Sequence, residues 1–315
     1  MQTPNKFHKY AVLVPELRKH MLTYLNPGTL LSYSQCSKYC DSEIQQFNTK
    51  PPSIVSIAEK DDGVLVKLSY SNRGTCEHEP GVTYCMEKLF PISEFVEAME
   101  KIKMYLLKVY RYVKDRKTKD LTLNLKKWPT EIMEMPGLSE LRVLKIHMHN
   151  SMLDNFIEFI QTSTIQVKKL YLDDFNGQNQ IVIHSEKAKQ IFQSQFFQQL
   201  ENLKIYLDCE VDDEDLLGFN NEFTLLAVKS LSISDDGIRR KVAQLNNSGL
   251  REVVWIEIYI PRDFNHRFDL EVLFPNNNPD VDIDANDHYV IGDVDFMLIE
   301  DGTTTLSLMY FPPDN

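Results

Sequence analysis

"LRVLKI" (residues 141–146) and "VKKLYL" (residues 167–172) share one pattern: an apolar residue, two variable residues, then leucine, a variable residue and an apolar residue. Four looser copies of this pattern are "TKDLTL" (118–123), "LENLKI" (200–205), "VKSLSI" (228–233) and "LREVVW" (250–255). Successive copies start 22 to 33 residues apart. Such a period indicates a chain built from similar units that stack side by side.

Amphipathic segments occupy the gaps between several copies, among them "SMLDNFIEFIQTS" (151–163) and "SEKAKQIFQSQFFQQL" (185–200). Their apolar residues keep helical spacing: Met152, Phe156, Phe159, Ile160, Ala188, Ile191, Phe192 and Phe196. One strand and one helix per 20 to 30 residues is typical of leucine-rich-repeat-like arrays. The predicted fold class is therefore α/β, with an irregular solenoid of parallel strands and outer helices.

One feature of the standard leucine-rich repeat is missing. An Asn or Cys usually follows the last apolar position and satisfies backbone groups in the turn. Other residues occupy these places here: Lys126, His149, Phe175, Asp208, Asp236 and Ile258. We expect the turns to be stabilised in another way.

The repeat region is predicted to extend from residue 117 to 315, because a hairpin follows the last copy. Alternating apolar residues flank "EDG" (300–302), and they are Val294, Phe296, Leu298, Leu306, Leu308 and Tyr310. Such a hairpin would close the open edge of the array. Before the array, residues 51–116 are predicted to hold a β-hairpin that includes "GVLVKLSY" (63–70) and a long helix capped by Ser93.

The composition is that of a soluble globular protein rather than a disordered one, with 43% hydrophobic and 25% charged residues. No apolar run approaches the ~18 residues that span a bilayer, and no secretory pattern opens the sequence. Five cysteines without a regular framework argue against a disulfide scaffold. These features predict a cytoplasmic or nuclear protein.

The net charge of −12 disfavours nucleic acid and anionic membranes as partners. The charge is uneven, because residues 101–119 are basic and the segment from Asp263 onward is acidic. This acidic segment either attracts a basic partner or serves solubility as a solvated surface.

No catalytic or cofactor motif is found, so we expect no enzyme activity, no cofactor and no metal. Cys76, His78 and Cys85 lack the close pairing of a zinc site. "DIDANDHYVIGD" (282–293) has acidic residues at calcium-loop spacing, yet Asp287 stands where that loop needs glycine. His147 and His149 would share one face of a strand, where a structural pair is the simpler interpretation than a ligand site.

The stretch "VPELRKHMLTYLNPGTLLSYSQCSK" (14–38) predicts two short helices joined by "NPG". Pro15 suits the first position of a helix, and Thr29 is a candidate N-cap for the second helix. Leu17, Met21 and Leu25 recur at helical spacing. So short a segment has more apolar surface than it can bury, which is typical of a partner-binding surface.

This stretch resembles an F-box, and "CSKYC" (36–40) in particular is similar to nematode-type F-box proteins with a divergent, repeat-like associated domain. The residues that take the places of the motif are Pro15, Leu17, Met21, Leu22, Leu25, Pro27, Leu30, Leu31 and Cys36. The resemblance assigns residues 10–50 to a helical F-box, which covers about a tenth of the chain.

The resemblance implies a non-catalytic substrate-recognition adaptor of a cullin-type (SCF) E3 ubiquitin ligase. Its F-box would bind a Skp-type linker through these nine residues, and the linker would join the chain to the cullin scaffold. The C-terminal solenoid would bind a protein substrate. The alternative is a leucine-rich protein-binding module without a role in ubiquitin ligation, and a third hypothesis is an enzyme that uses the acidic C-terminal region with a metal.

Overall fold

A computed structural model describes residues 14, 17–18, 21–22, 25, 27–45, 52–71, 83–92, 94–111, 119–135, 138–175, 181–260, 273, 281–283, 289–301 and 303–312. Among these residues, the helices are α1 (Pro27–Ser34), α2 (Lys38–Gln45), α3 (Phe95–Tyr110), α4 (Thr130–Met133), α5 (Leu153–Thr162), α6 (Ser185–Phe192), α7 (Gln195–Gln198), α8 (Asp213–Gly218) and α9 (Asp235–Asn246). The strands are β1 (Ile54–Lys60), β2 (Gly63–Ser71), β3 (Thr83–Phe90), β4 (Asp120–Asn124), β5 (Glu140–Met148), β6 (Gln166–Asp174), β7 (Val182–Ile183), β8 (Asn202–Asp212), β9 (Phe223–Ser232), β10 (Val254–Ile260), β11 (Val281–Ile283), β12 (Tyr289–Ile291), β13 (Val294–Asp301) and β14 (Thr303–Tyr310).

The strands form one large mixed sheet, in the order β11-β12-β13-β14-β10-β9-β8-β6-β5-β4-β1-β2-β3, with the short β7 beside β8. Its centre is parallel, because β1, β4, β5, β6, β8, β9 and β10 all run in the same direction. From β4 to β10 at least one helix lies between successive long strands. The α/β class predicted from the sequence is confirmed.

The first four copies of the sequence pattern lie side by side in register. Leu144 of β5 pairs with Leu121 of β4 and with Leu170 of β6, which in turn pairs with Leu203 of β8. A second row of paired, fully buried residues lies two positions further on, formed by Leu123, Ile146, Leu172 and Ile205. The pattern therefore marks the residues that one strand stacks upon the next.

The last two copies were predicted in the wrong register. Val253 and Trp255 were placed at core positions, yet they are 42% and 37% exposed, whereas Ile256 and Ile258 are buried. Because side chains alternate along a strand, an odd shift in register turns every side chain to the other face. In the fifth copy Leu226 pairs with Ile205, whereas the sequence pattern had aligned Ile233 with it.

One unit escaped the sequence pattern altogether. β1 is parallel to β4, and Val55 and Ile57 are buried opposite Leu121 and Leu123. Residues 54–60 had been interpreted only as part of the spacer that precedes the array. The parallel strands therefore begin one unit earlier than predicted.

The helices from α3 to α9 pack against one face of the sheet, and the buried residues of both form one continuous core. The predicted long helix is present as α3, and its Met99, Ile102 and Leu106 are buried. Glu94 occupies its N-cap position without a side-chain cap bond, and the predicted cap Ser93 lies outside the described residues. The predicted helix at 185–200 is two helices, because the side chain of Ser194 accepts a bond from the N–H of Phe197 and starts α7.

Hydrogen bonds between neighbouring units replace the missing ladder of turn residues. The Oγ of Ser151 donates to the carbonyl of Lys126 at 2.5 Å and lies 2.9 Å from Nδ1 of His149. The side-chain amide of the buried Asn221 donates to the carbonyls of Phe197 and Leu200 at 3.2 and 2.7 Å. The turns are thus stabilised irregularly, which agrees with the irregular sequence spacing.

Antiparallel strands close the parallel block on both sides. On one side β14 pairs with β10 and with β13, and Phe296 lies opposite Leu308 as the alternation predicted. On the other side β2 pairs with β1 and with β3. None of the helices in the described part of the chain has the length and apolar character to cross a membrane.

Candidate functional site

The N-terminal helical motif, defined here as residues 14–45, has its own small core. Leu22 is 1% exposed and packs with Leu30, and Leu25 and Tyr33 cover this pair. The second of the two helices predicted from the sequence is α1. It begins at Pro27, so the predicted N-cap Thr29 lies within this helix and not before it. Leu22, Leu25 and Leu30, three of the nine residues predicted to bind an adaptor, therefore hold the motif together.

Other predicted residues of the motif point to solvent. Leu17 is 52% exposed and Met21 is 49% exposed, and Val14 beside them is also exposed. Cys36 is an exposed free thiol at the end of the turn after α1. Pro15 and the side chain of Pro27 lie outside the described residues. The predicted adaptor-binding set is thus divided between a buried and an exposed group.

The motif rests on the β3 end of the sheet. Leu31 of α1 packs against the main core, and Asp41 of α2 forms an ion pair with Arg111 at 3.4 Å. A groove of about 1100 Å³ separates α1 from the edge strand β3 and from α3, and Met86 and Met104 line it. The exposed residues Leu17 and Met21 do not line this groove.

A second candidate surface is the face of the sheet on which no helix of the described residues packs, and we call it the open face. Within each aligned unit, one residue lies between the two core residues and points to this face. Across the neighbouring strands β4, β5, β6, β8, β9 and β10 these residues are Thr122, Lys145, Tyr171, Lys204, Leu225 and Glu257. The residues at the variable position of the leucine-x-apolar pattern therefore form the open face.

The open face is basic around Tyr171. This tyrosine lies between Lys145 and Lys204 on the adjacent strands. Lys169 precedes it by two residues on β6, so the two side chains point to the same face. The Nζ of Lys204 lies 5.6 Å from the ring centroid of Tyr171 and 5.0 Å from that of Phe223. Ammonium groups over aromatic rings are attracted by the ring electrons, which holds Lys204 between the two rings.

The next strands of the open face carry apolar side chains. Phe223 of β9 and Trp255 of β10 are paired neighbours whose ring centroids lie 5.1 Å apart in an edge-to-face arrangement. Met309 of β14 pairs with Trp255, whereas Leu225 of β9 is buried at 6% exposure and its partner Glu257 carries a carboxylate. The open face thus divides into a basic half on β5, β6 and β8 and an apolar half formed by Phe223, Trp255 and Met309, which Glu257 borders.

Acidic side chains border the basic half. Asp173 of β6 lies 3.9 Å from Lys145 and 3.8 Å from Nδ1 of His147. Burial lowers the pKa of His147, and Lys145 lowers it further, so this ring is neutral at pH 7. His149 lies beyond the end of β5, where its ring accepts a bond from the N–H of Ser151, so it serves a turn rather than the open face.

One cluster has the residue types of a hydrolase site but not its geometry. The carboxylate of Glu210 accepts bonds from Oγ of Ser185 and from the N–H of Ser185, both at 2.9 Å, and lies 3.0 Å from Nδ1 of His184. The N–H of Ser185 is the largest cause that lowers the pKa of Glu210. Because Ser185 donates to the carboxylate rather than to the histidine, it is not activated as a nucleophile. Glu210 instead stabilises the start of α6.

The candidate metal residues are only partly described. Cys76 and His78 lie outside the described residues, as do Asp284 and Asn286 of the calcium-like segment, and Cys85 is an exposed free thiol. Within the part of the chain that the structure covers, no three His, Cys, Asp or Glu side chains converge as metal ligands would. Cys209 is buried, and burial raises the pKa of its thiol.

Comparisons with known proteins add no assignment: no family model, no curated protein and no solved structure matches this chain. Two surfaces bear on the function: the exposed side of the N-terminal motif and the open face.

Proposed function

We propose that this chain is a non-catalytic substrate-recognition subunit of a cullin-type (SCF) E3 ubiquitin ligase, working in the cytoplasm or nucleus. The N-terminal motif binds a Skp-type linker, which joins the chain to the cullin scaffold, and the open face binds a protein substrate. The observation that carries this proposal is the exposure of Leu17 and Met21, which follow one another at helical spacing in a motif whose own core is already filled.

The exposed residues are sufficient for docking. Burial of a large aliphatic side chain contributes on the order of 1.5–3 kcal/mol. Val14, Leu17 and Met21 together would therefore supply several kcal/mol when a partner covers them. The inward residues Leu22 and Leu30 act indirectly, because they keep the motif folded.

The array itself supports a recognition role. Parallel strands that follow one another in chain order, with helices on one face only, are the arrangement of a leucine-rich-repeat-like solenoid. We accordingly propose that the block from β4 to β10 is an irregular solenoid of this type. In such arrays the face without helices provides an extended binding surface.

The test is co-expression with a Skp-type linker followed by gel filtration. We expect a stable complex that is lost in the double variant Leu17→Asp, Met21→Asp. The matched control is Val96→Asp, Val253→Asp, which changes two exposed residues outside the motif and should leave the complex intact. Leu22→Asp is not informative, because a charge at this buried position would unfold the motif itself.

Failure to form the complex, or a complex that survives the Leu17 and Met21 substitutions, contradicts the docking assignment. The second candidate function, a leucine-rich protein-binding module without a role in ubiquitin ligation, then takes its place. The basic and apolar halves of the open face favour this second function, because a partner could bind them whether or not a linker binds the N-terminal motif. This module would bind a partner through the open face, yet retain neither linker nor cullin in a pull-down.

A further inference from the structure

The open face carries chemistry that specifies a ligand class more narrowly than a protein substrate. Lys169 and Lys204 form no ion pair with any carboxylate in the described part of the chain, and Lys145 has only Asp173 at 3.9 Å. Lys204 is held by two rings instead of by an opposite charge. These ammonium groups therefore remain available to an anionic ligand.

The charge of the whole chain makes this cluster distinctive. The protein carries a net charge of −12, so its general field repels an acidic partner. Three lysines on adjacent strands create a local exception at the centre of the sheet. An acidic segment would bind there only if it also gained contacts beyond charge, and the neighbouring apolar half provides them.

The spacing between the halves sets the length of the ligand. Lys169 on β6 and Trp255 on β10 lie in one paired row that runs through Asn202 and Phe223, three strand positions apart. Strands in a sheet are about 4.8 Å apart, so the two side chains are separated by about 14 Å. An extended peptide rises about 3.3 Å per residue, so about four residues cover that distance.

We infer that the open face binds an extended peptide in which one or two carboxylate side chains lie about four residues from a bulky apolar side chain. The carboxylates contact Lys145, Lys169 and Lys204, and the apolar side chain packs on Phe223 and Trp255. This inference rests on the recognition role proposed for the open face and names the class of segment that the substrate presents.

The test is selection from a random dodecapeptide library displayed on phage, with the immobilised full-length protein as bait. We expect the selected peptides to be enriched in Asp or Glu about four positions from Phe, Trp, Leu or Met, in either order. A synthetic copy of a selected peptide should bind the variant Lys145→Ala, Lys169→Ala, Lys204→Ala about tenfold or more weakly. Its affinity for the wild-type protein should fall as salt is raised.

A matched control removes three lysines elsewhere. Lys101→Ala, Lys108→Ala, Lys127→Ala lowers the net charge by the same amount and leaves the open face unchanged, so peptide affinity should stay within twofold. Trp255→Ala tests the apolar half and should weaken the same peptide without changing its salt dependence. Circular dichroism of each variant checks that the fold is retained.

The inference is overturned if no peptide is selected, if the selected peptides lack acidic residues, or if they bind the open-face triple variant as well as the wild type. The inference is also overturned if a labelled single-stranded oligonucleotide binds more tightly than any selected peptide. This comparison is made at about 150 mM salt, which is close to physiological ionic strength. Linker binding is measured separately with the Leu17 and Met21 variant. A protein that fails to bind the linker can therefore still bind the selected peptide, and the two failures are distinguishable.

Discussion

The side-chain nitrogen of Lys241 lies 2.7 Å from the carbonyl oxygen of Phe219, and this lysine is 0% exposed. The same nitrogen also lies within hydrogen-bond distance of the carbonyl of Leu217, Oδ1 of Asn220 and Oε1 of Gln244. The acceptors of Leu217, Phe219 and Asn220 lie at the end of α8, where unpaired helix carbonyls carry partial negative charge. Lys241 therefore joins α9 to the turn that leads into β9.

Lys241→Met is expected to lower the free energy of unfolding by about 2 kcal/mol or more at pH 8, because it leaves buried carbonyls without a donor. Burial lowers the pKa of Lys241 to about 7, whereas an unfolded lysine titrates near 10.4. Between these values the unfolded chain binds more protons, so the contribution of Lys241 to stability grows as pH rises from 7 to about 10.

Urea unfolding of the wild type and of Lys241→Met across that range measures this contribution. The difference in unfolding free energy should increase by more than about 1 kcal/mol from pH 7 to pH 10. Lys108→Met, at an exposed position, serves as control and should give a difference that is small and constant. A constant difference for Lys241 as well would contradict the expected titration.

Asp215→Asn should stabilise the protein at neutral pH. Asp215 is 2% exposed, its Oδ2 accepts the N–H of Asp212 at 3.2 Å, and its Oδ1 has no hydrogen-bond partner in the described structure. Burial raises its pKa to about 6, above the value of about 3.9 for an unfolded aspartate. Its favourable contribution is therefore complete below pH 4 and is lost as pH rises through 6.

The expected gain for Asp215→Asn is about 1–3 kcal/mol at pH 7, with little gain at pH 4. Thermal or urea unfolding at both pH values measures it. Glu222→Gln removes an exposed carboxylate and should change stability by less than about 0.5 kcal/mol at either pH. If Asp215→Asn is equally stabilising at both pH values, titration of this carboxyl is not the cause.

Asn221→Ala should lower the free energy of unfolding by about 2–4 kcal/mol, because the carbonyls of Phe197 in α7 and Leu200 after it would lose their donor. Asn247 offers a matched control, since its amide donates to the carbonyl of Ala243 at 2.8 Å on the exposed surface. Asn247→Ala should cost less than about 1 kcal/mol, because water replaces the lost bond. Equal costs at the two positions would mean that Asn221 does not tie the units together.

Gly237→Ala should destabilise the protein by about 1–3 kcal/mol, although alanine favours helices by about 1 kcal/mol over glycine. A Cβ at this position would lie 2.0 Å from Oδ1 of Asp213, which would have to move. Both oxygens of that carboxylate accept bonds from Ser234, each at 2.7 Å. Gly218→Ala, where a Cβ meets no atom within 4 Å, should be neutral or stabilising in the same unfolding experiment.

The parallel strands could be predicted from the sequence wherever two core residues alternate with one variable residue, as at Leu144 and Ile146. The register predicted for β10 was wrong, because Val253 and Trp255 are as apolar as the core residues Ile256 and Ile258. Hydropathy does not tell which of two apolar sets faces the helices, since that choice depends on the strand next to it. The residues of the open face were not identified from the sequence for a related reason, because they occupy the variable positions.

Helical spacing predicted a single apolar face for Leu17, Met21 and Leu25. In the structure Leu22 is the most buried of the residues described before α1, because it meets Leu30 of the next helix. Which side of a short helix faces inward is decided by the helix it packs on, and one segment alone does not reveal this. The burial of Lys241 was likewise hidden, since its partners are backbone carbonyls and amides of a distant loop.

The antiparallel strands that end the sheet on both sides have a consequence for how its width can vary. Neither border offers a parallel strand for a further unit to join, so a unit can be gained or lost only between β1 and β10. Each such insertion would broaden the sheet by one inter-strand gap, about 4.8 Å. The distance from the N-terminal helices to a ligand on the far strands would therefore increase in fixed steps of one inter-strand gap.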